Sequence, residues 1–240
     1  MMIWWIIATL SAFYVKGLCG FANTLVFTTV MSFGLNNRNI SPVELLLGYP
    51  SNAIIAYRER KAIDPKLCLP LSVLVVLGSI PGMLLLKRAD TGAVKLVFGV
   101  VIVLLGMEML LRERHAGKTK ESRGLLAFIG LLSGVLCGLY GVGALLGAYI
   151  GRVAKDTSAF RANICVVFFV ENTLRIVLYS TLGLLNAGMA LQALRLLPVA
   201  LAGLFLGGRS AGYVSEKTVK RLVIVMLILS GMSLVIGQLR

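Results

Sequence analysis

Residues 160–184 read FRANICVVFFVENTLRIVLYSTLGL, an apolar run of membrane-spanning length that carries Glu171, Asn172 and Arg175 near its middle. Glu171 and Arg175 are four apart, so on a helix they stack on one face. A charge at the centre of a bilayer costs about 2.5–3.5 kcal/mol even on a lenient insertion scale. A pair kept there must face protein or water, not lipid.

The composition puts the whole chain in the same class. Of the 240 residues 58% are hydrophobic and 14% are charged, and the mean hydropathy is +0.90, whereas an ordinary soluble domain has about 25% charged residues. The chain is expected to be an all-α, polytopic, multi-pass protein of a cell membrane, the inner or plasma membrane of a prokaryote. The net charge of +14 does not argue for a nucleic-acid partner. The basic residues sit in short links between apolar runs, where they act as orientation signals. The start, Met1-Met2-Ile3-Trp4-Trp5, lacks a basic n-region and its apolar run outlasts one h-region, so the first helix is expected to be retained. Cys19, Cys68, Cys137 and Cys165 all lie in or beside apolar runs, which implies no disulfide framework. The single histidine, His115, lies in a basic link. No metal cluster, cofactor motif or nucleophile, base and orienter set is visible, so an enzyme is not expected.

The apolar segments span roughly 3–33, 43–57, 67–86, 94–111, 125–150, 162–184, 190–208 and 219–236. The second is short for a crossing of about 20 residues. The first is too long: at about 1.5 Å per residue it would make a helix of roughly 46 Å against a hydrocarbon core of about 30 Å. Gly17 and Gly20 interrupt it. The pattern predicts a helix, a break, and a half-length or re-entrant helix beginning after Asn23, with Asn23 as its cap.

The fifth segment repeats this design. Val135-Leu136-Cys137-Gly138 matches Gly17-Leu18-Cys19-Gly20, and Gly138, Gly141 and Gly143 interrupt the run. Ser51-Asn52 falls where Glu171-Asn172 falls once a two-residue gap is allowed. The chain therefore reads as one transporter domain over 1–240, duplicated as about 1–114 and 121–240 with a polar link at 115–120. Gly-broken segments at corresponding places in two halves are the best sequence pointer to a transporter's binding site.

Counting charges chooses the topology. If every segment crosses once, the Lys and Arg of the links divide 10 to 11 and give no orientation. If each broken segment returns to its own side, they divide 16 to 5, and the rich side is cytoplasmic. Both termini are then outside. The halves are inverted repeats, each with a broken helix and about three further spanning helices.

The Gly-broken segments, Phe160-Arg161-Ala162, Asn172, Arg175 and the two-fold duplication resemble the TauE/SafE sulfite-exporter family of anion permeases. The resemblance covers nearly the whole chain and is strongest over 133–184. It implies export of a small anion, sulfite, a sulfonate or a related organic anion, through a site near the membrane midplane. The expected partners are that anion and membrane lipid. Coupling to protons or ions and assembly as a homo-oligomer stay open.

The substrate-binding candidates are Lys16, Cys19, Gly20, Asn23, Asn52, Cys137, Gly138, Gly141, Gly143, Asn172 and Arg175. Glu171 is the coupling or charge-compensating group. The two half-helix starts would offer backbone N–H groups and positive dipole ends, Lys16 and Arg175 compensating charge, and the asparagines amide donors. Each residue also has a structural reading. Glu171 and Arg175 could lock one helix face to its neighbours, Lys16 could snorkel, the asparagines could be interhelical glue, and the two cysteines could be small packing residues. Glu44, Glu108 and Arg195, toward segment ends, read as interfacial. A cation-coupled transporter of another substrate would use the same architecture with Glu171 as its ion site, and a non-transporting scaffold would use the helices alone.

The charge asymmetry makes the topology testable. Single-cysteine labelling in intact cells is expected to reach Arg240 and the 87–90 link from outside. The 112–123 and 152–161 links should react only from the cytoplasm. Outside labelling of the 112–123 link would sink the inverted-repeat reading.

Overall fold

The computed structural model describes residues 2–32, 40–88, 123–140 and 143–239, with isolated helical positions between 96 and 110. Among the described residues the fold is all-helical. Nine α-helices are bounded among the described residues: α1 (Met2–Cys19), α2 (Asn23–Ser32), α3 (Ile40–Arg58), α4 (Pro65–Arg88), α5 (Arg123–Tyr140), α6 (Ala144–Val153), α7 (Thr157–Thr181), α8 (Ala187–Ser210) and α9 (Glu216–Leu239). A 3-10 turn, Arg60–Ala62, joins α3 to α4.

Among the described residues, four stretches are long and apolar enough to cross a membrane: Met2–Cys19, Pro65–Met83, Thr157–Thr181 and Ala187–Ser210. The distribution of polarity agrees. Leu69, Val73, Leu77, Leu194 and Phe205 are exposed, while Thr9, Lys16, Glu44, Asn52, Ser133 and Arg175 are buried. An apolar rim around a polar interior is what lipid solvation selects. The chain is thus a multi-pass membrane protein.

Chemistry at the ends explains where several helices begin. Asp156 caps α7 by accepting from the backbone N–H of Ala159 (2.7 Å), and Asn186 caps α8 by accepting from Met189 (2.9 Å). The turn before α4 is fixed to α7 by Asn163, whose Oδ1 accepts from the N–H of Asp64 (2.8 Å) and whose Nδ2 donates to the carbonyl of Ala159 (2.6 Å).

The overlong first segment is divided as its glycines predict. α1 stops at Cys19, Gly20 turns the chain with φ +88°, Ala22 follows at φ 72°, and α2 starts at Asn23. Gly20 also has a packing reason to lack a side chain, since a Cβ there would stand 2.7 Å from Cγ of Arg161. The second break separates α5 from α6, with Gly143 just before Ala144. Gly141 lies outside the described residues. The segment at 43–57 proves longer than its hydropathy suggests: α3 runs from Ile40 to Arg58. Ser41 and Glu44 cut the apolar run short without ending the helix, because Glu44 is buried among protein groups.

The most extensive helix pairings are α4 with α5 and α1 with α8, and α3 packs on α7 between them. The two large pairings are made the same way. A Cβ on Gly78 of α4 would stand 3.0 Å from the Cα of Gly134 of α5 and would overlap the carbonyl oxygen of Leu131. A Cβ on Gly207 of α8 would stand 3.1 Å from the Cα of Gly17 of α1 and overlap the carbonyl of Tyr14. Backbone meets backbone along both seams, as the spacings Gly78/Gly82, Gly134/Gly138 and Gly203/Gly207 permit. Ser79 adds a hydrogen bond across the first seam, donating to the carbonyl of Gly134 at 3.1 Å. The apolar core, which includes Phe21, Leu136, Leu146, Phe160 and Ile164, surrounds the breaks.

The seams predict which glycines tolerate a methyl group. Gly134→Ala and Gly207→Ala should each destabilise the purified protein by about 1–3 kcal/mol through overpacking. Gly212→Ala should be nearly silent, because its nearest neighbour, the carbonyl of Arg209, lies 3.5 Å from the built Cβ. Thermal unfolding in detergent reads the difference. Equal melting temperatures for the three variants would contradict the seam assignment.

Candidate functional site

The interior polar groups begin with Lys16, in the last turn of α1, and Asn23, at the start of α2. Seven residues of helix, break and new helix place them together. Lys16 Nζ donates to Asn23 Oδ1 at 3.1 Å. Asn23 in turn donates through Nδ2 to Glu44 Oε1, which also accepts from the hydroxyl of Thr24 at 2.9 Å. Asn23 therefore does not cap α2 as the sequence suggests: it is the first helical residue, and its Oδ1 is taken by the lysine.

Across the pocket, Arg175 of α7 donates through Nη2 to Ser41 Oγ and to Tyr179 Oη, each at 3.2 Å, and its guanidinium lies over the Tyr179 ring at 5.2 Å. Its Nε is 3.7 Å from Glu171 Oε1, an ion pair without a hydrogen bond at those two atoms. The four charged side chains are only 1–2% exposed. Lys16 and Arg175 balance Glu44 and Glu171, so this group of four is formally neutral. This balance keeps the burial cost of several kcal/mol per ion bearable.

One pocket lies between these groups. Its walls include Lys16, Asn23, Glu44, Asn52, Asn172 and Arg175, with the α2 start supplied by Ala22, Thr24 and Leu25, the α6 start by Gly143, and apolar cover by Phe21 and Phe168. Gly143 is pressed against the ring of Phe168, where any Cβ would overlap it. Gly48 of α3 lies beside these groups: a Cβ there would make ordinary van der Waals contact, 3.5 Å from Asn23 Nδ2 and from Glu44 Oε1 and 3.6 Å from Asn172 Nδ2. Asn52 is buried in this wall and its Oδ1 has no hydrogen-bond partner.

Of the sequence candidates, Lys16, Asn23, Asn52, Gly143, Asn172 and Arg175 thus line one pocket, and Glu171 pairs with Arg175. Gly20, Cys19, Cys137 and Gly138 do not line it. Gly20 makes room for Arg161, and Gly138 belongs to the α4/α5 seam, against the carbonyl of Ser79. Cys19 and Cys137 are buried in the apolar core. Arg161, which the charge count treats as a link residue, is buried beside the first break.

The reading of Glu44 as interfacial is overturned, because the residue is 2% exposed and bonded to Asn23 and Thr24. A signal for it was present: Glu44, Gly48 and Asn52 recur every four residues and share one face of α3.

The family model described as "Sulfite exporter TauE/SafE" matches residues 5–234. The chain is 25% identical over 228 residues to a protein of Cupriavidus necator named "Probable sulfite/organosulfonate exporter TauE", covering 88% of this chain and 89% of that one. It is 26% identical over 162 residues to the "Probable inner membrane transporter protein TsaS" of Comamonas testosteroni, covering 67% of each. No solved structure matches.

The charge balance orders the effects of removing its members. Arg175→Met should cost about 3–5 kcal/mol, since it leaves Glu171 buried without its partner. Arg175→Met combined with Glu171→Met should cost much less, because the uncompensated charge goes too. Thermal unfolding of the purified variants decides, and a double variant as unstable as Arg175→Met would contradict the pairing.

Proposed function

The chain belongs to the sulfite exporter TauE/SafE family, and from that premise we propose that it exports a small sulfur-containing or organic anion through the pocket between the two helix breaks. It is a membrane transporter and not an enzyme. The observation that carries the substrate reading is the convergence of Lys16, Arg175, Asn23, Asn52 and Asn172 on one buried pocket walled by the starts of α2 and α6. Helix starts favour anions through their N–H groups and positive dipole ends. The asparagine amides supply neutral donors. Turned over, the amide of Asn52 would present its NH2 group where its Oδ1 now has no partner.

The architecture we propose is one domain of two inverted repeats, about 1–114 and 121–240, with both termini outside. The helix pairings support it. α1 with α8 and α4 with α5 are corresponding pairs under the repeat, each joining the first helix of one half to a later helix of the other. The two breaks correspond likewise, and both reach the pocket through Asn23 and Gly143. An inside-negative potential would drive export, at about 2.3 kcal/mol per charge per 100 mV. The formal neutrality of the pocket keeps binding weak enough for release, and Glu171 compensates Arg175.

Proteoliposomes of the purified protein, loaded with sulfite or a short alkylsulfonate and given a panel of cations in parallel, test the reading. Flux should follow the anion and respond to voltage. Lys16→Gln should reduce it strongly, and Asn172→Ala should weaken apparent affinity by about 1–2 kcal/mol through loss of a donor. Flux that follows a cation and ignores the anions would defeat it.

A further inference from the structure

The pocket already holds a carboxylate beside the start of α2. Glu44 Oε1 accepts from Asn23 Nδ2 and Thr24 Oγ1, two side chains in the first turn of α2. The amide of Asn23 relays the same carboxylate to the ammonium of Lys16. A negative charge at that helix start enjoys both the dipole and the cation. An incoming anion would use the same donors.

We propose that Glu44 is a built-in counter-anion: it occupies the substrate's donors in the empty pocket, gives them up when an external anion enters, and takes them back to expel it. The inference rests on the anion-permease reading above. Glu171 is placed differently, tied to Arg175 on its own helix and absent from the pocket wall. The exchange would take place in the pocket that Glu44, Asn23 and Asn172 share, where Gly48 keeps a side chain from crowding their polar atoms. A competitor tethered in the site keeps Lys16 and Asn23 satisfied in the absence of substrate. It also limits how tightly any anion can be held.

The groups that face Glu44 are Lys16 from α1, Asn23 and Thr24 from α2, and Arg175 and Glu171 from α7. Methanesulfonate is a suitable probe beside sulfite, because its charge does not change over the working pH range. In purified protein, Glu44→Gln keeps the shape of the side chain and removes the competing charge. It should bind methanesulfonate at least about tenfold more tightly, about 1.4 kcal/mol. Maximal flux in proteoliposomes should fall several-fold as release slows, while Glu44→Asp stays near the native affinity. A merely structural role would not lower KM and maximal flux together. A folded Glu44→Gln protein with unchanged or weaker binding overturns the proposal.

If Glu44→Gln does not survive purification, the pH profile of the native protein decides. Protonating Glu44 removes the competitor, so methanesulfonate binding should tighten as pH falls and should still do so in Glu171→Gln. A flat profile, or one abolished by Glu171→Gln, overturns the proposal. Native protein that binds neither methanesulfonate nor sulfite removes the permease reading itself, an outcome distinct from native binding that Glu44→Gln fails to tighten.

Discussion

The interior of this protein is governed by the impossibility of leaving a charge in hydrocarbon. Lys16, Glu44, Glu171 and Arg175 are each nearly fully buried, and each would be expensive if turned toward lipid. They can coexist only because they are grouped. The grouping in turn dictates the fold around it: α1 must end before Gly20 so that Lys16 can meet Asn23, α3 must pass with Glu44 and Asn52 inward, and α7 must present Asn172 and Arg175 on the opposite wall, with Glu171 paired to Arg175. Breaking a helix inside a membrane is tolerated where neighbouring protein groups receive the released backbone. Around this break they include Cys165, whose thiol donates to the carbonyl of Gly20 at 3.2 Å.

The charges are not distributed as the proposed repeat would distribute them. The first half brings Lys16 and Glu44, the second Glu171 and Arg175, and none of the four stands at the position corresponding to another. What the halves share is architecture: a glycine-marked break, an asparagine at Asn52 and Asn172, and a seam of close backbone contact. What they do not share is chemistry. The proposed duplication would thus carry an asymmetric site. Its two sides differ in how their cations are held, Lys16 through a neutral amide and Arg175 beside its own carboxylate.

Much of this was legible in the sequence because lipid makes polarity informative. Glu171 and Arg175 stood out in an otherwise apolar run, and Lys16 and Asn23 flanked glycines in a segment too long to be one helix. Glu44 was missed for the same reason that the others were found. Reading hydropathy along the chain treats a charge as the end of a segment, and the interior role of Glu44 appears only when its register with Gly48 and Asn52 is considered. Asn23 reads as a cap in the sequence, but it is the first helical residue of α2 and its Oδ1 accepts from Lys16. Gly138 looked like part of a break, but its spacing from Gly134 is that of a packing seam.

Those seams bear on how the protein could open. Each laces a helix of one half to a helix of the other with scarcely a side chain between them, so sliding along a seam would drive carbonyls into Cα atoms. The pieces able to move intact are therefore the cross-braced couples, α1 with α8 and α4 with α5, and not the two halves of the sequence. In the proposed repeat such couples would work like a pair of scissors, each blade drawn from both halves, with α3 and α7 packed between them where Tyr49 stacks on Phe169 with ring centres 4.7 Å apart.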